Sequence, residues 1–482
     1  MLFNSIDFAV FLPLVFGVYW WLGRRPLRWQ NQFLLGASYL FYGWWDWRFL
    51  FLVLFSTGVD YTVGLKLAKE TSPERRKWWL RASIAVNLGL LGFFKYYNFF
   101  VNSFTEAFSF LGHPLSVSTL SVVLPVGISF YTFQTLSYTV DVYRKKLTPT
   151  DDFVVFATFV SFFPQLVAGP IERATDLLPQ FYQKRTFVYR EAVDGLRQML
   201  WGLFKKVVIA DSCAEFANLI FNQSEQYGGS TLLWGALFFT FQIYGDFSGY
   251  SDIAIGTAKL FGFTLRQNFA FPYFARDVAE FWRRWHISLS SWFRDYLYIP
   301  LGGSRGGRWQ QVRNTFIIFV VSGFWHGANW TFVVWGALNA LYFLPLLLTG
   351  RNRRYHYDEV AGHRLPSGRE LLEMASTFSL TVLAWVFFRA ESVTHALRYL
   401  SEIFSSSLFT FPELTETRRA VFVSVLVIGF VVVEWLGRTG QYALDDLPVR
   451  WPKPARWACY YCIALAILLF HGQKQSFIYF QF

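Results

Sequence analysis

Val321-Ser322-Gly323-Phe324-Trp325-His326-Gly327-Ala328-Asn329-Trp330-Thr331 lies in the middle of an apolar run from 312 to 347. At about 1.5 Å of rise per residue, that run is longer than one crossing of a ~30 Å hydrocarbon core requires. The polar residues at its centre predict two helices, or one long bent helix, broken there. A histidine in such a setting must hydrogen-bond or face a cavity, because an unpaired polar group in hydrocarbon costs several kcal/mol. His326 is therefore either bonded to a neighbouring helix or a general base, since neutral imidazole titrates near physiological pH and can take a hydroxyl proton. Gly323 and Gly327 are expected to clear space beside it.

The same apolar character extends outward along the chain. Of 482 residues, 54% are hydrophobic, 21% aromatic and only 16% charged, against about 25% charged in soluble domains. This excludes a disordered chain, a collagen-like chain and a disulfide scaffold, and predicts an all-α polytopic integral membrane protein. Apolar segments fall near 4–22, 31–45, 47–65, 79–100, 193–212, 230–258, 312–347, 371–389, 419–436 and 457–470. With the runs 121–140 and 152–169 they make about ten to twelve. Those two runs are punctuated by Pro125, Gly127, Pro164, Gly169 and Pro170, which predicts broken or re-entrant elements. No repeat or long linker divides the chain, so one integral membrane domain over 1–482 is expected. The run Phe8–Leu22 ends in Arg24-Arg25 and reads as a first transmembrane helix rather than a signal peptide.

Net charge is +12, with the basic residues in short runs between apolar spans. Arg24, Arg25 and Arg28 form one run. Lys66, Lys69, Arg75, Arg76, Lys77 and Arg81 form a second, and Arg144, Lys145 and Lys146 a third. The positive-inside rule puts them in the cytoplasm and the N-terminus outside, together with the loops carrying Arg351, Arg353 and Arg354 and Arg450, Lys453 and Arg456. Nucleic-acid binding is excluded. Cys213, Cys459 and Cys462 are too few and scattered for ligands or a disulfide framework. His113, His356, His363, His395 and His471 read as surface residues.

Polar residues inside apolar spans are the functional candidates. Gln242 to Asp252, with Tyr244, Asp246, Ser248 and Asp252, is either a packing seam or the wall of a polar cavity. From Arg276 to Tyr296 the spacing predicts one amphipathic helix, with Trp282, His286, Leu289 and Phe293 on a single stripe. His286 then points to the apolar side, as a structural residue or a support for His326. The loop Ile299–Arg308 is basic and glycine-rich but lacks the ending of a phosphate loop. There is no HExxH, GxSxG or Cys-His-Asp pattern, and no clustered acidic partner for a metal site. A single base without its own nucleophile favours direct attack between two bound substrates.

Six stretches carry a resemblance: Tyr42-Gly43-Trp44, Pro125 to Gln134, Phe163 to Ile171, Tyr244 to Asp252, Phe281-Trp282-Arg283-Arg284-Trp285-His286, and Ser322 to Gly327. Together they resemble the membrane-bound O-acyltransferases, in the bacterial branch with the alginate O-acetylation and teichoic-acid D-alanylation proteins. The closing Phe477 to Phe482 also resembles the alginate-type members. The resemblance implies a ring of helices, with re-entrant or interfacial ones, around a funnel from outside and a tunnel from the cytoplasm. It implies that His326 is catalytic and His286 the second signature residue. The expected substrate contacts are Trp325, Asn329, Tyr244, Asp246, Ser248, Asp252, Gln134 and Arg283. It further implies no metal and no permanently bound cofactor, with acetyl-CoA or another acyl thioester, or an acyl-carrier protein, as donor. Extracytoplasmic acetyltransferase partners and a bacterial inner-membrane location follow, as does transfer of acetyl toward hydroxyls of an exported polysaccharide such as alginate. Teichoic-acid D-alanylation is the alternative within the family, and a transporter the alternative outside it. Arg75, Arg76 and Lys77 are a candidate donor entrance on the cytoplasmic face.

Overall fold

A computed structural model describes residues 1–111, 119–121, 123–167, 169–355, 365–414, 416–446, 451–470, 475 and 477–478. His113, Ala168, His356, His363, Arg450, His471 and the closing 479–482 lie outside the described residues. Among the described residues every regular element is helical. The chain divides into two compact units, 1–192 with 258–265, and 193–257 with 266–482.

The first unit holds α1 (Ile6–Leu22), α2 (Leu27–Gly43), α3 (Phe49–Lys69), α4 (Pro73–Leu91), α5 (Tyr97–Phe110), α6 (Ile128–Tyr143) and α7 (Phe153–Ser161). Two single turns, α8 (Phe163–Leu166) and α9 (Ala174–Leu177), follow. Local chemistry sets several of the starts. Ser5 accepts the Phe8 amide at 3.2 Å, and Asp152 accepts those of Val154 and Val155 at 2.9 and 3.1 Å. Each satisfies a helix-end donor that lipid could not. Both punctuated runs are broken, as expected. Gly127 precedes α6 at φ 76°, where a Cβ would meet the Leu166 carbonyl at 2.7 Å. Phe162 leaves the helix before Pro164.

A polar knot joins α3, α4 and α6. Asp60 is fully buried and accepts from Ser83 Oγ at 2.6 Å, Asn87 Nδ2 at 2.9 Å and Thr139 Oγ1 at 3.2 Å. The basic run at the α3–α4 turn does similar work. Arg76 donates to the carbonyls of Leu67 and, at 2.8 Å, Tyr143. It is thus a staple between helix ends. Neutralising Arg75, Arg76 and Lys77 together would open the unit, so that triple variant is no clean probe of a donor entrance.

The second unit holds most of α10 (Tyr189–Leu203), α11 (Asp211–Asn222), most of α12 (Gly229–Leu260), α13 (Val278–Arg284) and α14 (Ile287–Phe293). It continues through α15 (Arg308–His326), α16 (Trp330–Leu348), α17 (Gly368–Arg389), α18 (Val393–Ile403), α19 (Thr417–Gly437) and α20 (Lys453–Leu469). The run 312–347 is two helices, as its polar centre predicts. The segment 276–296 is not one helix. It breaks at Trp285-His286 into α13 and α14, then passes into a π-helical turn, Arg294–Tyr298.

Five described helices are long and apolar enough to cross a membrane: Arg48–Lys69, Pro73–Phe110, Trp330–Leu348, Gly368–Arg389 and Thr417–Gly437. That is fewer than the apolar segments counted in the sequence. Ile6–Leu22 and Phe153–Leu166 are apolar but shorter.

Backbone proximity explains the glycines beside His326. A Cβ on Gly323 would lie 2.1 Å from the Phe332 carbonyl oxygen, and one on Gly336 2.3 Å from that of Phe319. The α15 and α16 backbones therefore touch, which only glycine permits. Gly327 is filled in turn by the Phe332 ring, 2.1 Å from its would-be Cβ. The space expected beside His326 is thus taken up by the neighbouring helix and the Phe332 ring. Gly323→Ala should cost at least ~1–3 kcal/mol by overpacking, seen as a lowered thermal midpoint and loss of monodisperse protein in detergent. Gly307→Ala, which meets nothing within 4 Å, should leave both unchanged.

Candidate active site

His326 is the last residue of α15 and 3% exposed. Aromatic rings surround it: Trp325 at 4.9 Å between centroids, Trp335 at 5.2 Å and Phe388 at 5.3 Å. α16 and α17 supply Trp335 and Phe388, so the α15–α16 glycine contact also sets the depth of this box. Trp385 stacks on Trp335 at 5.6 Å behind it.

His286 occupies the junction of α13 and α14 with φ 44° and ψ 55°, a left-handed conformation costly for a residue with a Cβ. Its surroundings over-determine it. The Ile287 amide donates to the Asn268 carbonyl at 2.9 Å, and the Ser290 amide to the His286 carbonyl at 3.0 Å. Phe247 of α12 meets the imidazole edge-on at 4.6 Å. Trp325 lies 6.2 Å from His286 and 4.9 Å from His326. One indole therefore contacts both histidines.

Asn268 sets the state of His286. Its Nδ2 donates to Ser251 Oγ at 3.1 Å, while its Oδ1 accepts from the Ser288 amide at 3.3 Å and Ser288 Oγ at 2.8 Å. That fixes Oδ1 as an acceptor, so His286 Nδ1, 3.1 Å away, is the donor. Nε2 is then the basic nitrogen of a neutral ring. Burial acts in the same direction, pushing His286 down to about 3.

The other candidates are held by protein partners. Tyr244 donates to the Glu434 carboxylate, which also accepts from Trp201 Nε1 at 3.2 Å. Asp246 pairs with Lys206 at 2.8 Å and accepts the Ile478 amide at 2.7 Å. Asp252 pairs with Lys205 at 2.6 Å and accepts from Gln198 at 3.0 Å. Ser248 is buried beside them on α12. Asn329 caps α16, accepting the Thr331 amide at 3.0 Å and donating to the Glu391 carbonyl at 2.9 Å. Exposed Arg283 donates to the carbonyls of Asn352 and Tyr355 at 3.0 and 2.8 Å. Gln134 belongs to the first unit, where it donates to the Phe159 carbonyl at 2.7 Å.

The second unit thus brings together His326, Trp325 and His286, with Asn329 at the adjoining helix start. Tyr244, Asp246 and Asp252 belong to a separate charged lattice with Lys205, Lys206 and Glu434. Sequence reasoning missed Asn268, Lys205, Lys206 and Glu434. The last three had a readable signal, as charges inside apolar runs. Asn268 had none. Among the described residues no group of three or more His, Cys, Asp or Glu converges as a metal set.

The family profile described as MBOAT, membrane-bound O-acyltransferase family, matches residues 147–368. The chain is 40% identical over 458 residues to the "probable alginate O-acetylase" of Pseudomonas aeruginosa, covering 94% of this chain and 85% of that relative. It is 37% identical over 431 residues to the peptidoglycan O-acetyltransferase of Helicobacter pylori, covering 83% and 79%. Similarity to the teichoic acid D-alanyltransferase of Streptococcus thermophilus is weaker, 28% over 244 residues, or 47% of this chain.

Asn268→Ala removes the shared acceptor of His286 Nδ1 and the Ser288 amide and hydroxyl in an apolar interior. It should destabilise by ~1–3 kcal/mol, read as a lowered thermal midpoint in detergent. Asn268→Asp keeps the acceptor for His286 Nδ1 and should recover part of the loss.

Proposed function

The chain belongs to the membrane-bound O-acyltransferase family and is an O-acyltransferase, and from that premise we propose that it moves an acetyl group from a cytoplasmic thioester donor toward hydroxyls of an exported polysaccharide such as alginate. Similarity to alginate O-acetylases over most of both chains supports the acetyl group and the polymer. The protein is a multi-pass protein of the bacterial inner membrane. The basic loops support an N-terminus on the outer side. One domain over 1–482, with the family's ring, funnel and tunnel, accommodates the two substrates. Acetyl-CoA or another thioester serves as donor substrate, with no cofactor held between turnovers. An extracytoplasmic acetyltransferase partner receives or completes the transfer. D-alanyl transfer from a carrier protein is the second reading, and it rests on the shorter, weaker similarity.

The observation that carries the mechanism is a histidine enclosed by aromatic rings at a helix break, sharing Trp325 with a second, neutral histidine. His326 removes the proton of the attacking hydroxyl as its oxygen bonds to the thioester carbonyl carbon. When the C–S bond breaks, the imidazolium returns that proton to the sulfur. His286 positions the reacting groups through Trp325. The aromatic walls keep out water that would hydrolyse the thioester.

General-base catalysis contributes about 10²–10⁴-fold, or ~3–5 kcal/mol of barrier. His326→Gln should insert normally and lose acyl transfer by that factor. Near wild-type transfer at matched abundance and donor occupancy would make His326 structural. His286→Ala should lower transfer without removing the protein from the membrane. Full activity there would demote His286 to packing.

A further inference from the structure

A crevice of about 420 Å³ lies in the second unit between α12, the short turn Pro272–Phe274, α17 and α19. Leu371 and Val432 form its outer rim, 58% and 51% exposed. Both sit on helices long and apolar enough to cross a membrane, so the rim faces hydrocarbon rather than water. Met374, Phe378 and Phe430 line its depth. Polar groups in the wall are bonded within the protein, Tyr244 to Glu434 and Tyr273 to the Thr240 carbonyl at 2.6 Å. The crevice therefore offers apolar contact rather than hydrogen bonds, which disfavours a glycan or a nucleotide and suits a methylene chain. Apolar cavities of this kind do not hold water, and dispersion contacts favour filling by hydrocarbon from the bilayer around them.

One end of the crevice is basic. Arg369, two residues before Leu371, has a side chain 70% exposed. Arg438, three residues after the lining residue Trp435, covers that indole at 3.8 Å. Glu373 bonds Arg369 at 3.0 Å and reaches Arg354 at 3.9 Å, so two guanidiniums share one carboxylate. The adjoining loop adds Arg351 and Arg353. Guanidiniums at the edge of hydrocarbon suit a phosphate, and by the positive-inside rule this end lies in the cytoplasmic leaflet. The crevice is no part of the aromatic box. Ring contacts from its wall run from Tyr273 to Trp285 at 6.0 Å, to Trp385 at 5.0 Å and to Trp335 at 5.6 Å before His326 is met.

We propose that this crevice is a binding site for a membrane phospholipid, which seats one acyl chain between α17 and α19 and its phosphate against Arg369 and Arg438. The site stands apart from acyl transfer and needs no turnover to be read. Its test uses the full chain in lipid nanodiscs containing a small fraction of phosphatidylglycerol with a diazirine in mid-chain, and maps the photoadducts by mass spectrometry. Adducts should form on Met374 and Phe430, which are buried and out of reach of bulk lipid, as well as on exposed Val425 and Ile428. Ala375→Trp and Val431→Trp, which fill the crevice from either helix, should each cut labelling of Met374 and Phe430 at least tenfold and leave Val425 and Ile428 labelled. The paired change Arg369→Gln and Arg438→Gln should reduce the inner labelling several-fold. A long-chain alcohol with the same diazirine, lacking the phosphate, should label the inner residues several-fold less than the phospholipid. Labelling confined to the exposed residues means surrounding lipid only, and overturns the proposal. So does inner labelling that is unchanged in both tryptophan variants. Equal inner labelling by the alcohol and the phospholipid makes the crevice a sink for any hydrocarbon, and also overturns it.

Discussion

The Lys206 ammonium, 1% exposed, sits 2.8 Å from both Asp246 and Asp211, and the arrangement of the second unit depends on that contact. Removing one partner from such a buried set leaves an uncompensated charge, at about 3–5 kcal/mol. Beside it Lys205 pairs with Asp252, and both lysines lie in a π-helical turn, Phe204–Ala210. Gly202 and Gly249 let the two backbones meet, each would-be Cβ lying 2.6–2.7 Å from the other's carbonyl oxygen. The charges fix the rotation of α12 and the glycines fix its distance. From that helix Phe247 packs on His286, and Ser251 accepts from the asparagine that orients it. Asp246 also accepts the Ile478 amide, so the same carboxylate seats a residue near the C-terminus.

The site that results separates two kinds of environment. The charged lattice around Lys205 and Lys206 is saturated with mutual bonds and holds the scaffold still. The histidine pair sits instead among tryptophan and phenylalanine rings, where few dipoles screen a developing charge. Those rings also leave little room for water beside the pair. The charges that stiffen the protein are thereby kept on different side chains from the two proposed to act in acyl transfer.

His326 was legible because a lone histidine at the centre of an apolar run has few physical excuses, and the helix break around it followed from the same polarity. That His286 faces apolar surroundings was read from the spacing of one regular helix, whereas a left-handed residue splits that helix, stabilised by Asn268 eighteen positions earlier. Nothing local announces such a contact. Gly323 and Gly327 illustrate a second limit, since a missing Cβ marks close approach without saying whether helix or ligand approaches. The residues from Tyr244 to Asp252 read equally as seam and cavity wall. Their partners Lys205, Lys206 and Glu434 lie on other helices, and only tertiary packing shows them engaged.

The left-handed backbone at His286 has a bearing on how this chain would change if freed from its task. Glycine adopts that conformation without the steric penalty that histidine bears, roughly 1–2 kcal/mol. The backbone alone therefore favours glycine at this position, while the hydrogen bond to Asn268 and the edge contact with Phe247 favour the ring. A cavity left by a buried aromatic side chain costs about 3–5 kcal/mol, more than the strain that glycine would relieve. Under laboratory drift selected for abundance and membrane insertion, codon 286 should therefore change only together with those neighbours, so that the three positions drift as one block.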